Sequence, residues 1–209
     1  MVESIIESLN IYNDVKFKFD PTYHKYTYDG VAFISVTQFI SRFHKEFDKD
    51  FWSKKKSEEA GVDQEDILKE WQSLNDRANF IGTSTHNYIE NYFNRIFQDI
   101  PIDLDVVDRI NKFNKIFATH LYKLTPIKFE QRIFSKKWKI AGMIDSLFIY
   151  KDKLILLDWK SNKKFTTHSV YNEKLLEPFN DFDKCHLTDY SIQLSLYSLI
   201  LNEIGLDVK

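Results

Sequence analysis

The stretch that decides the fold runs from Gly142 to Lys160 and reads GMIDSLFIYKDKLILLDWK. Two apolar runs flank a polar tetrapeptide, residues 150–153, and this pattern predicts a β-hairpin. The first run contains Asp145, and the second ends in an Asp-x-Lys triplet formed by Asp158 and Lys160. Because a hairpin would bring the two acids and the lysine together, the stretch is a candidate metal site with a lysine beside it.

The alternation of side chains along a strand makes this prediction more specific. Asp158 and Lys160 are expected on one face, with Trp159 on the other. Two carboxylates can hold a hard divalent cation such as Mg2+, and the ammonium of Lys160 can stabilise phosphate charge or position a water. Phosphodiester hydrolysis can use this combination. An ordinary hairpin with solvated side chains is the alternative, since Asp-x-Lys also occurs at residues 14–16 and 207–209.

The composition limits the class of protein. The chain has 209 residues, 43% of them hydrophobic, which is enough for one sizeable core, so we expect a single domain over residues 1–209. No apolar run reaches eighteen residues and the first ten residues are acidic, which predicts an intracellular, unsecreted protein without a membrane association. The single cysteine, Cys185, excludes an internal disulfide and any cysteine-only zinc or iron–sulfur site within the chain.

The charge is unevenly distributed along the chain. The formal net charge of -2 gives no long-range attraction to nucleic acid. Acids are concentrated in the N-terminal half, whereas lysines lie around the predicted hairpin. Any one of these lysines fits a solvated strand edge, but as a group beside an acidic site they suit a polyanion. They are Lys136, Lys137, Lys139, Lys151, Lys153, Lys160, Lys163 and Lys164.

The N-terminal half predicts short strands between helices. The strands are expected at residues 15–19, 25–28 and 31–34, and Asp29-Gly30 predicts a type I′ turn between the last two. Helical patterns occur at residues 2–12, 35–47, 64–97 and 103–122. The third of these helices is expected to be interrupted near Gly82.

The C-terminal half predicts a meander followed by a helix. The strands are expected at residues 127–134, 138–149 and 154–159. A polar, irregular stretch over residues 161–186 leads to a last helix at residues 188–204, which Gly205 would end. The meander carries both acids of the candidate site.

Four short motifs occur in a characteristic order along the chain. They are Gly82 with His86 on a helix, Gly142-Met143-Ile144-Asp145, Asp158-Trp159-Lys160, and Gln193 with Tyr197. With these motifs in this order, the chain resembles the PD-(D/E)XK nuclease superfamily and, within it, the RecB-like exonucleases. It is similar to the mitochondrial genome-maintenance and phage-type exonucleases.

The resemblance implies a fold. It is an α/β fold with a restriction-endonuclease-like core, in which a central mixed β-sheet is flanked by helices, plus an N-terminal helical region. Residues 1–124 would form the N-terminal hairpin and helical part that carries His86, and residues 125–209 the catalytic meander and the Gln-Tyr helix. Relatives add a short strand after that helix, which we expect to be short or missing in this chain.

The resemblance also implies roles for individual residues. Asp145, Asp158 and Lys160 would be catalytic, and the expected ligands of one or two Mg2+ or Mn2+ ions are His86, Asp145, Asp158 and the backbone carbonyl of Trp159. Gln193 and Tyr197 would contact the DNA strand, and Glu130 matches an acid near the metals. No iron–sulfur cluster is expected. Without the resemblance, a lone histidine such as His86 on a helix face is more often a core residue than a metal ligand, and Gln193 and Tyr197 fit ordinary boundary residues equally well.

The expected function is therefore metal-dependent DNA hydrolysis. The protein would be an exonuclease that acts on DNA ends, single-stranded or duplex, in recombination, repair or replication, with a recombination or replication protein as a further partner. The alternatives are a non-catalytic nucleic-acid binding module on a nuclease scaffold and a structure-specific endonuclease. The sequence leaves the cleavage polarity, the strand preference and the choice between Mg2+ and Mn2+ open.

Overall fold

A computed structural model of the protein describes residues 1–99 and 102–208. The chain divides into two compact units. The first comprises Met1–His44 and Ile116–Lys209, and the second comprises Lys45–Lys115. The single nuclease domain expected over residues 1–209 stays a prediction.

The first unit is built on a mixed β-sheet. Its strands are β1 (Phe17–Asp20), β2 (Lys25–Tyr28), β3 (Val31–Ser35), β4 (Thr125–Ser135), β5 (Ile140–Tyr150) and β6 (Lys153–Leu157). The sheet order is β1-β2-β3-β5-β4, and β6 also pairs with β5. Strand β3 runs parallel to β5 through Ile34 and Ser35, and the other pairs are antiparallel. The mixed sheet and the meander of β4, β5 and β6 are therefore confirmed.

Two tight turns fix the hairpins of this sheet. Lys151 and Asp152, between the paired residues Tyr150 and Lys153, have φ values of 46° and 62°. Positive φ at both central residues is required by a type I′ turn, which matches the twist of the strands. The Asp29-Gly30 turn has the same character, with φ values of 50° and 79°. Both predicted hairpins are confirmed.

The helices, in chain order, are α1 (Val2–Leu9), α2 (Val36–Ser41), α3 (Lys49–Ala60), α4 (Gln64–Phe93), α5 (Leu104–Ile116) and α6 (His186–Asn202). In the first unit, α6 supplies Ile200 and Leu201 to a core that also contains Ile144 and Leu147 of β5, all four being fully buried. This packing fixes α6 against the strand that carries Asp145.

Short elements of the first unit end differently from the prediction. Ser35 caps α2 through a capping box with Gln38, as the sequence predicts, but the helix ends at Ser41 rather than near Phe47. Strand β6 ends at Leu157, so the Asp-x-Lys triplet follows the strand instead of closing it. In contrast, the last strand, which was expected to be short or missing, is a single parallel bridge between Val208 and Leu154, in agreement with that expectation.

The second unit consists of helices. Helix α4 runs without a break through Gly82, so the predicted interruption there is wrong. One glycine costs a helix only about 1 kcal/mol relative to alanine, and the buried Ile81 and Thr85 on either side stabilise the helix by packing. Arg77 of α4 donates hydrogen bonds to Asp103 at 2.8 Å and to Asp105 at 2.7 Å.

Helix α5 is shorter than the predicted span of 103–122, because the chain changes to a π-helical turn at Phe117–Leu121. Within the part of the chain that the structure describes, no helix has both the length and the apolar character needed to cross a membrane.

Candidate metal and active site

The predicted acids lie at the end of the β5–β6 hairpin. Asp145 lies within β5 and is 9% exposed, and the side chain of Asp158 is 5% exposed. The main-chain N–H of Trp159 donates to Oδ2 of Asp145 at 2.6 Å, and its indole N–H donates to Oγ of Ser146 at 2.7 Å. These bonds hold the segment that leaves β6, and that carries Asp158, against the strand that carries Asp145.

Asp158 is held from two sides. Its Oδ2 lies 2.6 Å from Nζ of Lys160, and its Oδ1 accepts a hydrogen bond from Nε2 of Gln193 at 3.1 Å. The ion pair agrees with the prediction that Asp158 and Lys160 share a face. A carboxylate has about four lone-pair positions, so these two bonds leave acceptor capacity for a cation.

Gln193 and Tyr197 form the α6 side of the site. Nε2 of Gln193 also donates to the hydroxyl of Tyr197 at 3.1 Å, and the two residues are 7% and 3% exposed. Burial raises the pKa of Tyr197, and the negative charges of Asp158 and Asp145 raise it further. The phenol is therefore neutral, and it fixes the amide that orients Asp158. Contact of these two residues with DNA stays a prediction.

Gly142 leaves the space that the Tyr197 ring occupies. A Cβ atom at this position would lie 2.5 Å from Cε1 of Tyr197, closer than side chains tolerate. We expect Gly142→Ala to destabilise the protein by about 1–3 kcal/mol, because the buried ring has to move. Urea unfolding measures this loss of unfolding free energy. The cost of adding Gly142→Ala should be smaller in a protein that already carries Tyr197→Leu than in the wild type. Equal losses in the two backgrounds would contradict the steric explanation.

Glu130 lies opposite Asp145 across the β4–β5 pair. The pairs on either side, Phe129 with Ser146 and Gln131 with Ile144, set this register, and carboxylate oxygens of Glu130 and Asp145 lie within 4.8 Å of each other. Directly opposed like charges destabilise a sheet, and a hard divalent cation held between two carboxylates offsets that repulsion.

The backbone of Glu130 is also unusual. Its φ of 46° is a left-handed value that a glutamate rarely adopts within a strand. Such strain is concentrated at functional sites. Glu130, a minor candidate on sequence alone, thus combines a position opposite Asp145 with an unusual backbone, and its role near a metal stays a prediction.

His86 lies on α4 in the second unit and is half-buried, one helical turn before Glu90. Its assignment as a metal ligand stays a prediction, and so does that of the Trp159 carbonyl.

The sequence analysis missed one side chain beside the lysine. Nζ of Lys160 lies 4.7 Å from the centre of the Tyr190 ring, a distance typical of a cation–π contact. Tyr190 precedes Gln193 by three residues, and residues three or four apart share a helix face. A search for residues three positions before Gln193, on the same helix face, would have identified it.

The fold and the site define a mixed α/β protein with a buried carboxylate–lysine cluster at the end of a β-hairpin. No model of a known protein family matches the sequence. The chain is similar to the RecB subunit of the RecBCD enzyme from Buchnera aphidicola subsp. Baizongia pistaciae (strain Bp), with 27% identity over 168 residues. The match covers 77% of this chain and 13% of the length of that subunit. It supports a distant relationship to RecB.

Proposed function

We propose that this protein is a metal-dependent DNA nuclease with a PD-(D/E)XK core, and that it acts as an exonuclease on DNA ends. The observation that carries the proposal is the ion pair between Asp158 and Lys160, in which the acid is almost completely buried. The next residue, Trp159, donates its main-chain N–H to Asp145 and so holds this segment against β5. The similarity to RecB and the order of the four motifs support the same conclusion.

The acids fit a divalent cation. Asp145, Asp158 and Glu130 supply carboxylate oxygens of the kind that Mg2+ and Mn2+ bind, and an imidazole such as His86 would favour Mn2+. In the proposal, His86 and the Trp159 carbonyl complete the ligand set, on the basis of the sequence resemblance. When bound, one or two such ions supply Lewis acidity at the phosphate and lower the pKa of water.

The remaining residues position the substrate and balance charge. The side chain of Lys160 is 30% exposed, so its ammonium can meet a phosphate while it stays paired with Asp158. There it stabilises the negative charge that develops as water attacks phosphorus. Gln193 keeps Asp158 in one orientation through its bond to Oδ1, and Tyr197 keeps Gln193 in place. A fixed geometry of this kind lowers the entropic cost of reaching the transition state.

The biological setting is part of the proposal. The distant similarity to RecB supports a role in recombination or repair inside the cell. Because that relative is a subunit of an enzyme, the proposal includes a protein partner in addition to DNA.

The test is a cleavage assay with defined substrates. We expect linear DNA labelled at the 5′ or 3′ end to be shortened in the presence of Mg2+ or Mn2+ and to stay intact in EDTA. The two labels give the polarity of the reaction, because only one of them is released first. Covalently closed circular DNA should resist cleavage.

The same assay separates the alternatives. Cleavage of closed circles would replace the exonuclease with an endonuclease. Tight DNA binding without turnover under either metal would favour a binding module, and cleavage in EDTA would refute the metal dependence.

A further inference from the structure

Three aromatic rings pack together at the start of α6 and in the loop before it, and one of them, Tyr190, contacts Lys160. The ring centres of His186 and Tyr190 are 5.7 Å apart with an interplanar angle of 13°. Phe165 lies 6.3 Å from His186 and 6.2 Å from Tyr190, at angles of 25° and 30°. We call these three residues the aromatic cluster. Its rings are nearly parallel, so they present their faces in similar directions.

Hydrogen bonds fix the cluster in this arrangement. Nδ1 of His186 accepts a hydrogen bond from the Thr166 N–H at 3.2 Å, and the hydroxyl of Tyr190 donates to Oδ1 of Asn162 at 2.7 Å. The Leu187 N–H donates to the carbonyl of Thr166 at 3.0 Å, which ties the loop to the first turn of α6. The rings are therefore ordered without a ligand, and little conformational entropy is lost when a flat group packs on them.

The cluster is accessible and surrounded by positive charge. Phe165 is 52% exposed, and His186 and Tyr190 are partly exposed. Lys163 and Lys164, which precede Phe165, are exposed as well, and Nζ of Lys160 lies over the Tyr190 ring. An exposed aromatic surface flanked by ammonium groups is the combination with which proteins bind unpaired nucleotides, because the rings stack on bases and the lysines contact phosphates.

We propose that the aromatic cluster is a base-stacking platform that holds an unpaired nucleotide of a DNA strand beside Lys160. The inference rests on the proposed function, which it deepens by assigning single-stranded DNA as the substrate class. In a duplex the faces of the bases are covered by their neighbours, so only an unpaired or frayed end offers a base to Phe165 and Tyr190. Contact between Lys160 and both the ring and Asp158 links the platform directly to the candidate catalytic residues.

Binding of short labelled oligonucleotides tests the platform without relying on cleavage. The full chain carrying Asp158→Asn would be titrated, with and without Mg2+, against single strands of about twelve nucleotides and against blunt duplexes, with fluorescence anisotropy as the readout. We expect Phe165→Ala and Tyr190→Ala each to weaken single-strand binding about 5- to 100-fold, the range that loss of one stacked base covers. Duplex binding should be weaker and less affected.

Two matched variants separate stacking from general damage to the loop. Tyr190→Phe keeps the ring and removes only the bond to Asn162, so it should retain most of the affinity. Tyr171→Ala removes an aromatic ring that is 83% exposed in the same loop but lies outside the cluster, and it should have no effect. In addition, an oligonucleotide in which one nucleotide lacks its base should bind the Asp158→Asn protein more weakly than the intact strand does. The same change should not weaken binding to a protein that also carries Phe165→Ala, because the base and the ring form one contact.

Several outcomes would overturn the platform. They are unchanged single-strand affinity in both alanine variants, an equal loss on blunt duplexes, or no binding of single strands by the parent with or without Mg2+. Different results would contradict the proposed nuclease function. If the unaltered protein cleaves no DNA but the ring-dependent binding is found, the nuclease proposal is wrong and the platform stands. If it cleaves DNA and the rings have no effect, only the platform is wrong.

Discussion

Lys160→Ala should reduce the rate of DNA cleavage by about 10²–10³-fold, the usual cost of removing one preorganised group that stabilises transition-state charge. The ammonium of Lys160 is held 2.6 Å from Oδ2 of Asp158, so it is oriented before substrate arrives. Its removal takes away the positive charge that is paired with Asp158 without altering the buried core. End-labelled DNA cleaved under single-turnover conditions, at saturating Mg2+, measures the chemical step.

The controls for this prediction come from the same segment. Lys153→Ala removes an equal charge from the exposed start of β6 and should change the rate only slightly. Asp158→Asn keeps an oxygen that can accept the Gln193 hydrogen bond but loses the negative charge, so it should lose activity to a similar extent while still folding. Wild-type rates in both Lys160→Ala and Asp158→Asn would refute the assignment of the active site.

The sequence predicted those parts of the fold that depend on local chemistry. The Lys151-Asp152 and Asp29-Gly30 turns follow from residues that tolerate positive φ, and the α2 cap follows from Ser35. By contrast, the parallel pairing of Ile34 with Ile140 joins segments more than a hundred residues apart, and no local pattern predicts it. The supposed break at Gly82 was wrong because packing outweighs the small helix penalty of one glycine.

The same division applies to the candidate site. Strand alternation predicted that Asp158 and Lys160 share a face. The two side chains are in contact, although the triplet lies just beyond the end of β6. The position of Glu130 opposite Asp145 could not be predicted from the sequence. The register of β4 against β5 shifts between Pro126 and Lys128, and this shift decides which residue faces Asp145. A one-residue change of register would turn Glu130 to the other face of the sheet. The aromatic cluster was also beyond sequence analysis, since Phe165 belongs to an irregular loop.

Mg2+ or Mn2+ should raise the thermal stability of the protein, and this rise should be lost in Glu130→Gln and in Asp145→Asn. A cation that binds only the folded state at a hundredfold excess over its Kd stabilises that state by about 2.7 kcal/mol. For a chain of this size, that corresponds to an increase in Tm of about 5–10 °C. The prediction follows from the opposed carboxylates of Glu130 and Asp145, whose oxygens lie within 4.8 Å of each other. Differential scanning fluorimetry across a metal titration measures it without any substrate.

Asp152→Asn provides the matched control, because it removes the same charge from the exposed turn of the same hairpin, and asparagine tolerates the φ of 62° found there. This variant should keep the full metal-dependent rise in Tm. Asp145→Asn retains an oxygen that can accept the Trp159 N–H. If the metal-dependent increase in Tm is lost in this variant, the cause is therefore the missing charge at the metal site and not a disrupted hairpin. If both site variants kept the wild-type rise, the cation would bind elsewhere. The link between the opposed acids and the metal would then be wrong, even if Lys160 proved essential for cleavage.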